Sequence, residues 1–249
     1  MPHLLSKSKY IRGLQCERAL WLDVYHPRLA RYTREQLRRF DYGRDFERTF
    51  KSQFPDGIDV SALLGRKVDA YPERTAQLLD LRPSTDANVV IFEAGFQYDD
   101  VLVLADVVCQ RDDGSLDIYE VKSGSQLSET YKRDAAVQHY VISHCRSVNS
   151  FGIVYHGSNG VDGHGGLNGV GGLDGSNGQF EIVNLTEELA AQSDTIASNI
   201  ATMKEILAHG EPATPMGQHC LTPYVCPYQH YCRQGVLQTD LFESPDDKG

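Results

Sequence analysis

The chain has 249 residues and 41% hydrophobic content, enough for one large core or two small ones. No apolar run approaches the roughly 18–20 residues of a membrane-spanning helix. A formal net charge of −10 argues against a general coat for nucleic acid.

Charge distribution is more informative. Residues 1–54 hold twelve Lys/Arg against six Asp/Glu. Tyr10, Trp21, Tyr25, Tyr32, Phe40, Tyr42 and Phe46 are interleaved with them. Basic groups among aromatics suit a phosphate backbone with stacked bases, and equally suit a solvated helix over core aromatics. Met1–Lys7 lacks the basic-then-apolar pattern of a secretion signal. A reducing, cytoplasmic setting is therefore expected, where six cysteines serve as metal ligands or core residues rather than disulfides.

In chain order, residues 6–26 read as a helix entered at Ser6 or Ser8 and stopped by Pro27, with Tyr10, Ile11 and Leu14 on one side. A second helix starts near Thr33, where Thr33-Arg34-Glu35-Gln36 fits a capping box. Its stripe runs through Leu37, Phe40, Gly43, Phe46, Phe50 and Phe54. Residues 89–122 change to short strands with tight turns. A helix over about Ser128–Cys145 follows, then strands near Phe151–Tyr155 and Phe180–Asn184. Between those strands, Gly157–Gly178 carries ten glycines in 22 residues and reads as a flexible insert. It lacks the strand–loop–helix context of a phosphate loop. A helix near Glu187–His209 leads to a Cys-rich segment, and residues 240–249 read as a loose tail.

The strongest local signal is Asp106 followed by Glu120-Val121-Lys122. Glu120 and Lys122, two apart on a strand, share a face. Asp99-Asp100 fits a two-residue hairpin loop pairing Tyr98 with Val101, which puts Glu93 opposite Asp106. Asp112-Asp113-Gly114 fits a three-residue loop pairing Arg111 with Ser115, which puts Asp106 opposite Glu120. Three carboxylates in one row repel unless a cation joins them, and Mg²⁺ or Mn²⁺ takes such oxygen ligands. Lys122 would orient water or an oxyanion beside the metal. A solvent-facing sheet is the alternative, with Lys122 merely balancing Glu120. Glu47 lies on the apolar helix stripe, where a carboxylate needs a partner or a metal. Gln138 lies on the stripe Tyr131, Ala135, Ile142 and Cys145 and faces the same requirement.

These residues resemble the RecB-like branch of the PD-(D/E)XK nuclease superfamily, nearest to the iron–sulfur exonucleases of CRISPR adaptation and their bacterial relatives. The resemblance runs from Leu5 to Cys232, through Leu5-Ser6-Lys7-Ser8, Cys16, Gly43-Arg44-Asp45-Phe46-Glu47, Asp106, Glu120-Val121-Lys122, Gln138 and the terminal cysteines. It implies an α/β, restriction-endonuclease-like fold: a central mixed sheet flanked by helices, with a C-terminal cysteine cluster. It also implies metal on Asp106, Glu120 and the Val121 carbonyl, with Lys122 catalytic and Gln138 assisting. Glu47 stands where many relatives have His. Ile142 stands four residues after Gln138, where the family usually has Tyr.

Cys220, Cys226 and Cys232 recur every six positions, among prolines and aromatics, and suggest a metal knot. Cys16 matches the N-terminal cysteine of the iron–sulfur relatives. Four thiolates suit Zn²⁺ or a 4Fe–4S cluster, and spacing does not choose between them; the resemblance favours iron–sulfur. His219 and His230 are fallback ligands, and Cys109 and Cys145 read as core residues. The expected organisation is a single nuclease domain over residues 1–239, with residues 1–26 and 211–233 joined by the cluster. The expected activity is metal-dependent hydrolysis of DNA phosphodiester bonds, exonucleolytic on single-stranded or frayed ends. The alternatives are a non-catalytic nucleic-acid-binding protein and a structural subunit of a DNA repair or CRISPR-adaptation complex.

Overall fold

The computed structural model describes residues 4–81, 89–157 and 180–240. The chain is α/β, a mixed seven-stranded sheet flanked by helices. The chain comprises two compact units. One comprises residues 1–7 and 38–198, the other residues 8–37 and 199–249. Among the described residues, no helix is long and apolar enough to cross a membrane.

The elements begin with β1 (Leu5–Ser6), α1 (Lys7–Gln15), α2 (Glu17–Tyr25) and α3 (Arg34–Lys51). The single helix expected over residues 6–26 is broken at Cys16, whose backbone is extended. Tyr10 is buried as its stripe requires, but Leu14 is exposed. The capping box before α3 is present in both directions. Gln36 N–H donates to Thr33 Oγ1 at 3.2 Å, and Thr33 N–H donates to Gln36 Oε1 at 2.8 Å. Leu37 is exposed, and the Phe40 side chain lies outside the described residues.

The larger unit continues with β2 (Ile58–Asp59), α4 (Val60–Leu64) and α5 (Tyr71–Asp80), then β3 (Val90–Tyr98), β4 (Val101–Gln110) and β5 (Leu116–Val121). It ends with α6 (Glu129–Cys145), β6 (Val148–His156), β7 (Phe180–Asn184), α7 (Thr186–Ala190) and the start of α8 (Ser193–Ala208). The strand order is β2-β3-β4-β5-β6-β7, with β1 pairing in parallel with the first residues of β4. The β3–β4 and β4–β5 pairs are antiparallel, while β5 and β6 are parallel and joined by α6. Asp99 and Asp100 both take left-handed backbone, which a two-residue hairpin turn requires. Gly114 does the same in the three-residue loop, with Arg111 N–H bonded to Ser115 O. Ser128 caps α6 through Tyr131 N–H. Residues 158–178 of the Gly-rich insert and residues 241–249 of the expected tail lie outside the described residues.

Phe46 and Phe50 of α3 are buried with Phe92, Val107, Tyr119, Val121 and Val154, and Phe54 packs at the edge of this cluster. Helix α6 packs on β3, β4 and β6, and α5 packs on β3. At Gly95 of β3 a Cβ would meet Tyr71 Cβ at 2.5 Å and Pro72 N at 2.9 Å. Only glycine lets the start of α5 approach that closely. Gly95→Ala is therefore expected to cost about 1–3 kcal/mol in a denaturant melt; an unchanged midpoint would show that α5 shifts freely.

In the smaller unit, α1, α2 and the end of α8 precede α9 (Gln229–Asp240). Ala19, Leu22, Cys226 and Tyr228 form its buried cluster, with Cys16, Trp21, Leu29, Ala30 and Tyr231 packed against them. Polar contacts also link its two chain segments. The Gln15 amide donates to His219 O and Tyr224 O at 2.7 and 2.5 Å, and Arg18 pairs with Glu211 at 2.6 Å. Arg31 N–H bonds Pro227 O, and Tyr228 OH donates to Asp23.

Candidate metal centre

Three carboxylates converge in the larger unit. One oxygen each from Glu47, Glu93 and Asp106 lie within 4.8 Å of one another. Glu47 comes from α3, three residues before the buried Phe50, so the packing of the phenylalanines fixes where it projects. Glu93 and Asp106 come from neighbouring strands. The ladder pairs Phe92 with Val107 and Ala94 with Ala105, so register sets Glu93 opposite Asp106. At Glu93 the backbone turns left-handed, with φ of 52°, and that one pair is skipped. On the other side Val107 pairs with Tyr119, so the register continues Asp106 to Glu120. Both turns thus set the register expected from the sequence.

Glu120 stands apart from the converging trio. It is 1% exposed, yet three donors hold it. Lys7 Nζ and Lys122 Nζ lie 2.7 and 2.8 Å from Oε1, and Gln138 Nε2 donates to Oε2 at 2.6 Å. Lys122 Nζ is also 2.6 Å from Asp134 Oδ2. Asp106 Oδ2 accepts the Val121 N–H at 2.7 Å. Lys51 Nζ bridges the remaining two, 2.5 Å from Glu47 Oε1 and 2.7 Å from Glu93 Oε1.

These contacts push the carboxyl groups apart electrostatically. Burial and the neighbouring Glu120 charge hold Asp106 well above the usual carboxylate range. Burial would also raise Glu120, but Lys122 and Lys7 outweigh it and bring it down to about 2. Burial disfavours the Lys122 ammonium, yet Glu120 and Asp134 raise its pKa well above the ordinary value. Lys122 is thus a cation throughout the neutral range. Burial raises Glu93 despite Lys51.

A divalent cation fits this donor set. Carboxylate oxygens are hard ligands, and their mutual repulsion is what such an ion relieves. Gln138 is fully buried beside Glu120, and its Oε1 lacks a hydrogen-bond partner among the described residues. An orphaned acceptor in that position suits a bound ion or its water. The raised Asp106 pKa gives a test free of catalysis. A carboxyl group whose pKa is higher in the folded protein favours folding fully below the unfolded value, about 3.9. That advantage is lost as pH rises through the folded value, so keeping this buried carboxyl at neutral pH costs the fold stability. In chelator at pH 7, Asp106→Asn is expected to melt higher than wild type, and the gap should shrink toward pH 4. A lower melting temperature at pH 7 would contradict the burial argument.

Sequence reasoning missed Lys7, Lys51 and Asp134. Lys51 stands four residues after Glu47 on one helix and could have been found by that spacing. Asp134 stands four residues before Gln138 on α6 and was open to the same stripe argument. Lys7 gives no local signal, because its partner lies 113 residues away.

The four cysteines Cys16, Cys220, Cys226 and Cys232 all belong to the smaller unit. Cys220 and Cys226 are buried, and Cys16 and Cys232 are half-buried. Burial raises the Cys16, Cys226 and Cys232 thiols, and neighbouring cysteines add to each rise: Cys220 at all three, Cys16 also at the other two. No three of these sulfurs lie within 4.8 Å of one another. Cys145 departs from expectation: at the last turn of α6 it is exposed, not core, with Sγ 3.5 Å from Gln97 O. Cys109 is half-buried at the edge of the phenylalanine cluster, and burial pushes its thiol up to about 12.

No family model and no curated protein matches the chain. One solved structure, described as "Crystal structure of SSO0001", superposes with a TM-score of 0.33 at 14% identity. The superposition covers 92% of this chain and 85% of that one.

Proposed function

We propose that the chain is a divalent-metal-dependent deoxyribonuclease of the PD-(D/E)XK type, with a restriction-endonuclease-like fold, hydrolysing phosphodiester bonds at single-stranded or frayed DNA ends in a reducing, cytoplasmic setting. The observation that carries this reading is the convergence of Glu47, Glu93 and Asp106 beside a Glu120–Lys122 pair at the end of the adjoining strand. Mg²⁺ or Mn²⁺ would be held by Glu47, Glu93 and Asp106, joined by Glu120 and the Val121 carbonyl, and would supply a Lewis acid and a more acidic bound water.

The chain's own groups have separable tasks. Lys122, a fixed ammonium between Glu120 and Asp134, stabilises charge on the scissile phosphate and is too basic to abstract a proton. Asp134 and Gln138 set the positions of Lys122 and Glu120. Lys7 is a second ammonium on the same Glu120 oxygen. The phenylalanines of α3 hold Glu47 against loss of position.

Cys16, Cys220, Cys226 and Cys232 form the C-terminal cysteine cluster of this proposal and hold a 4Fe–4S group. Four thiolates suit either group, and it is the resemblance to the iron–sulfur nucleases that favours iron–sulfur here.

The test is digestion of end-labelled linear and closed circular DNA, single- and double-stranded, with Mn²⁺ or chelator. Loss of label from linear substrate only, and only with metal, is the expected result. Metal-independent cleavage, or none on any substrate, would overturn the enzyme reading and leave the non-catalytic nucleic-acid-binding alternative.

A further inference from the structure

We infer that Lys7 is a substrate-binding residue, whose ammonium clamps a non-bridging oxygen of the same phosphate that Lys122 meets. This rests on the reading of the centre as a metal-dependent nuclease. The strand pairing fixes where Lys7 starts. Leu5 is wholly buried and pairs with Val101, Ser6 pairs with Leu102, and Lys7 follows directly. Its Nζ reaches Glu120 Oε1 at 2.7 Å, and Lys122 Nζ lies 2.8 Å from that same oxygen. A phosphate that meets Lys122 is therefore within reach of Lys7.

Stability does not account for a cation at this position. Glu120 is satisfied without it, by Lys122 on Oε1 and Gln138 on Oε2. Two ammoniums on one oxygen repel each other. Lys7 is also the first residue of α1, whose first turn carries no acidic residue, and the positive end of a helix dipole disfavours a cation there. The two lysines differ in freedom. Lys122 is held on its other side by Asp134 at 2.6 Å and is 15% exposed. Among the described residues Lys7 pairs with Glu120 alone, and it is 25% exposed. An entering anion draws away the less anchored ammonium, which sits on a long flexible stem. Charge balance gives the lysine its purpose. Glu47, Glu93, Asp106, Glu120 and Asp134 outnumber Lys7, Lys51 and Lys122 by two. A bound divalent ion cancels that surplus. Without Lys7 the loaded centre would stay negative and repel a phosphodiester.

The experiment measures binding rather than turnover. A fluorescein-labelled single-stranded DNA is titrated with protein in Ca²⁺, a hard ion for the same oxygen ligands, and anisotropy is followed over a range of salt concentrations. Lys7→Gln should bind about tenfold more weakly, as loss of one charged hydrogen bond implies. Its plot of log affinity against log salt should be shallower by about 0.7, the loss of one phosphate contact on a single strand. Lys7→Arg, which keeps the charge, should keep the wild-type slope. An uncharged methylphosphonate, stepped along the DNA, should at one linkage weaken wild type more than Lys7→Gln. An equal slope in wild type and Lys7→Gln, or an equal methylphosphonate loss at every linkage, would overturn the Lys7 assignment and leave the nuclease reading standing. Wild type that binds no DNA would remove that reading and the assignment with it. If Lys7→Gln loses its native circular dichroism, Lys7→Met takes its place. A chain that folds with neither makes Lys7 a structural residue and overturns the assignment.

Discussion

Asp106→Asn and Glu120→Gln should each lower Mn²⁺-dependent cleavage by about 100-fold or more, while moving stability in opposite directions. The loss of activity follows from removing a proposed charged ligand, a larger change than the 10–100-fold typical of removing a ligand's supporting contact. The stability effects differ because the two carboxyl groups sit in opposite fields. Asp106 is buried beside another negative charge, so its neutral isostere relieves the metal-free fold. Glu120 is the common acceptor for Lys7, Lys122 and Gln138. Its amide replacement leaves two ammoniums short of a partner. The cost should be about 3 kcal/mol, the low end for a broken buried pair, because Lys7 is a quarter exposed and Lys122 keeps Asp134. Activity and denaturant melts on the same preparations check both halves. An active Asp106→Asn protein would sink the metal centre. Two variants destabilised alike would sink the electrostatic account but not the centre.

Cys16→Ala should lower iron content and melting temperature together. Anaerobically purified wild type should be brown and carry about four irons per chain. Cys16 lies in the break between α1 and α2, and the other three cysteines lie at the far end of the sequence. A group bound to all four closes a loop of about two hundred residues, so binding free energy becomes folding free energy. Cys220→Ala, Cys226→Ala and Cys232→Ala should behave alike. Cys109→Ala and Cys145→Ala should keep their iron, with a small packing cost for Cys109 alone. Colourless protein with one zinc would replace the iron and keep the ligand set. Full iron in Cys16→Ala would break the set.

The strands and their register were legible because they are set locally. Asp99-Asp100 and Asp112-Asp113-Gly114 dictate turn geometry, and the turns fix which residues face each other. The capping box at Thr33 and the helix start near Ser128 were legible for the same reason. Residues 55–81, which form β2, α4 and α5, gave no reading. Their place depends on Gly95 admitting α5 close to β3, a long-range fact. The helix break at Cys16 was hidden too, since nothing in Leu14-Gln15-Cys16-Glu17 opposes helix. In the site, the acidic residues announced themselves by pattern, but their lysines did not. A carboxylate on an apolar stripe is conspicuous, whereas a lysine is unremarkable until its partner is known. The left-handed turn at Glu93 was equally silent, for no glycine marks it.

The two-residue strand β1 has a consequence in time. Leu5 pairs with Val101, and Lys7 meets Glu120 across 113 residues of sequence. During synthesis at about 5–20 residues per second, Lys7 emerges roughly 6–23 seconds before its partner exists. Nascent chains shorter than that separation hold the lysine without the carboxylate, so the centre cannot assemble until β5 has left the ribosome. A centre built this way stays incomplete while the chain is being made.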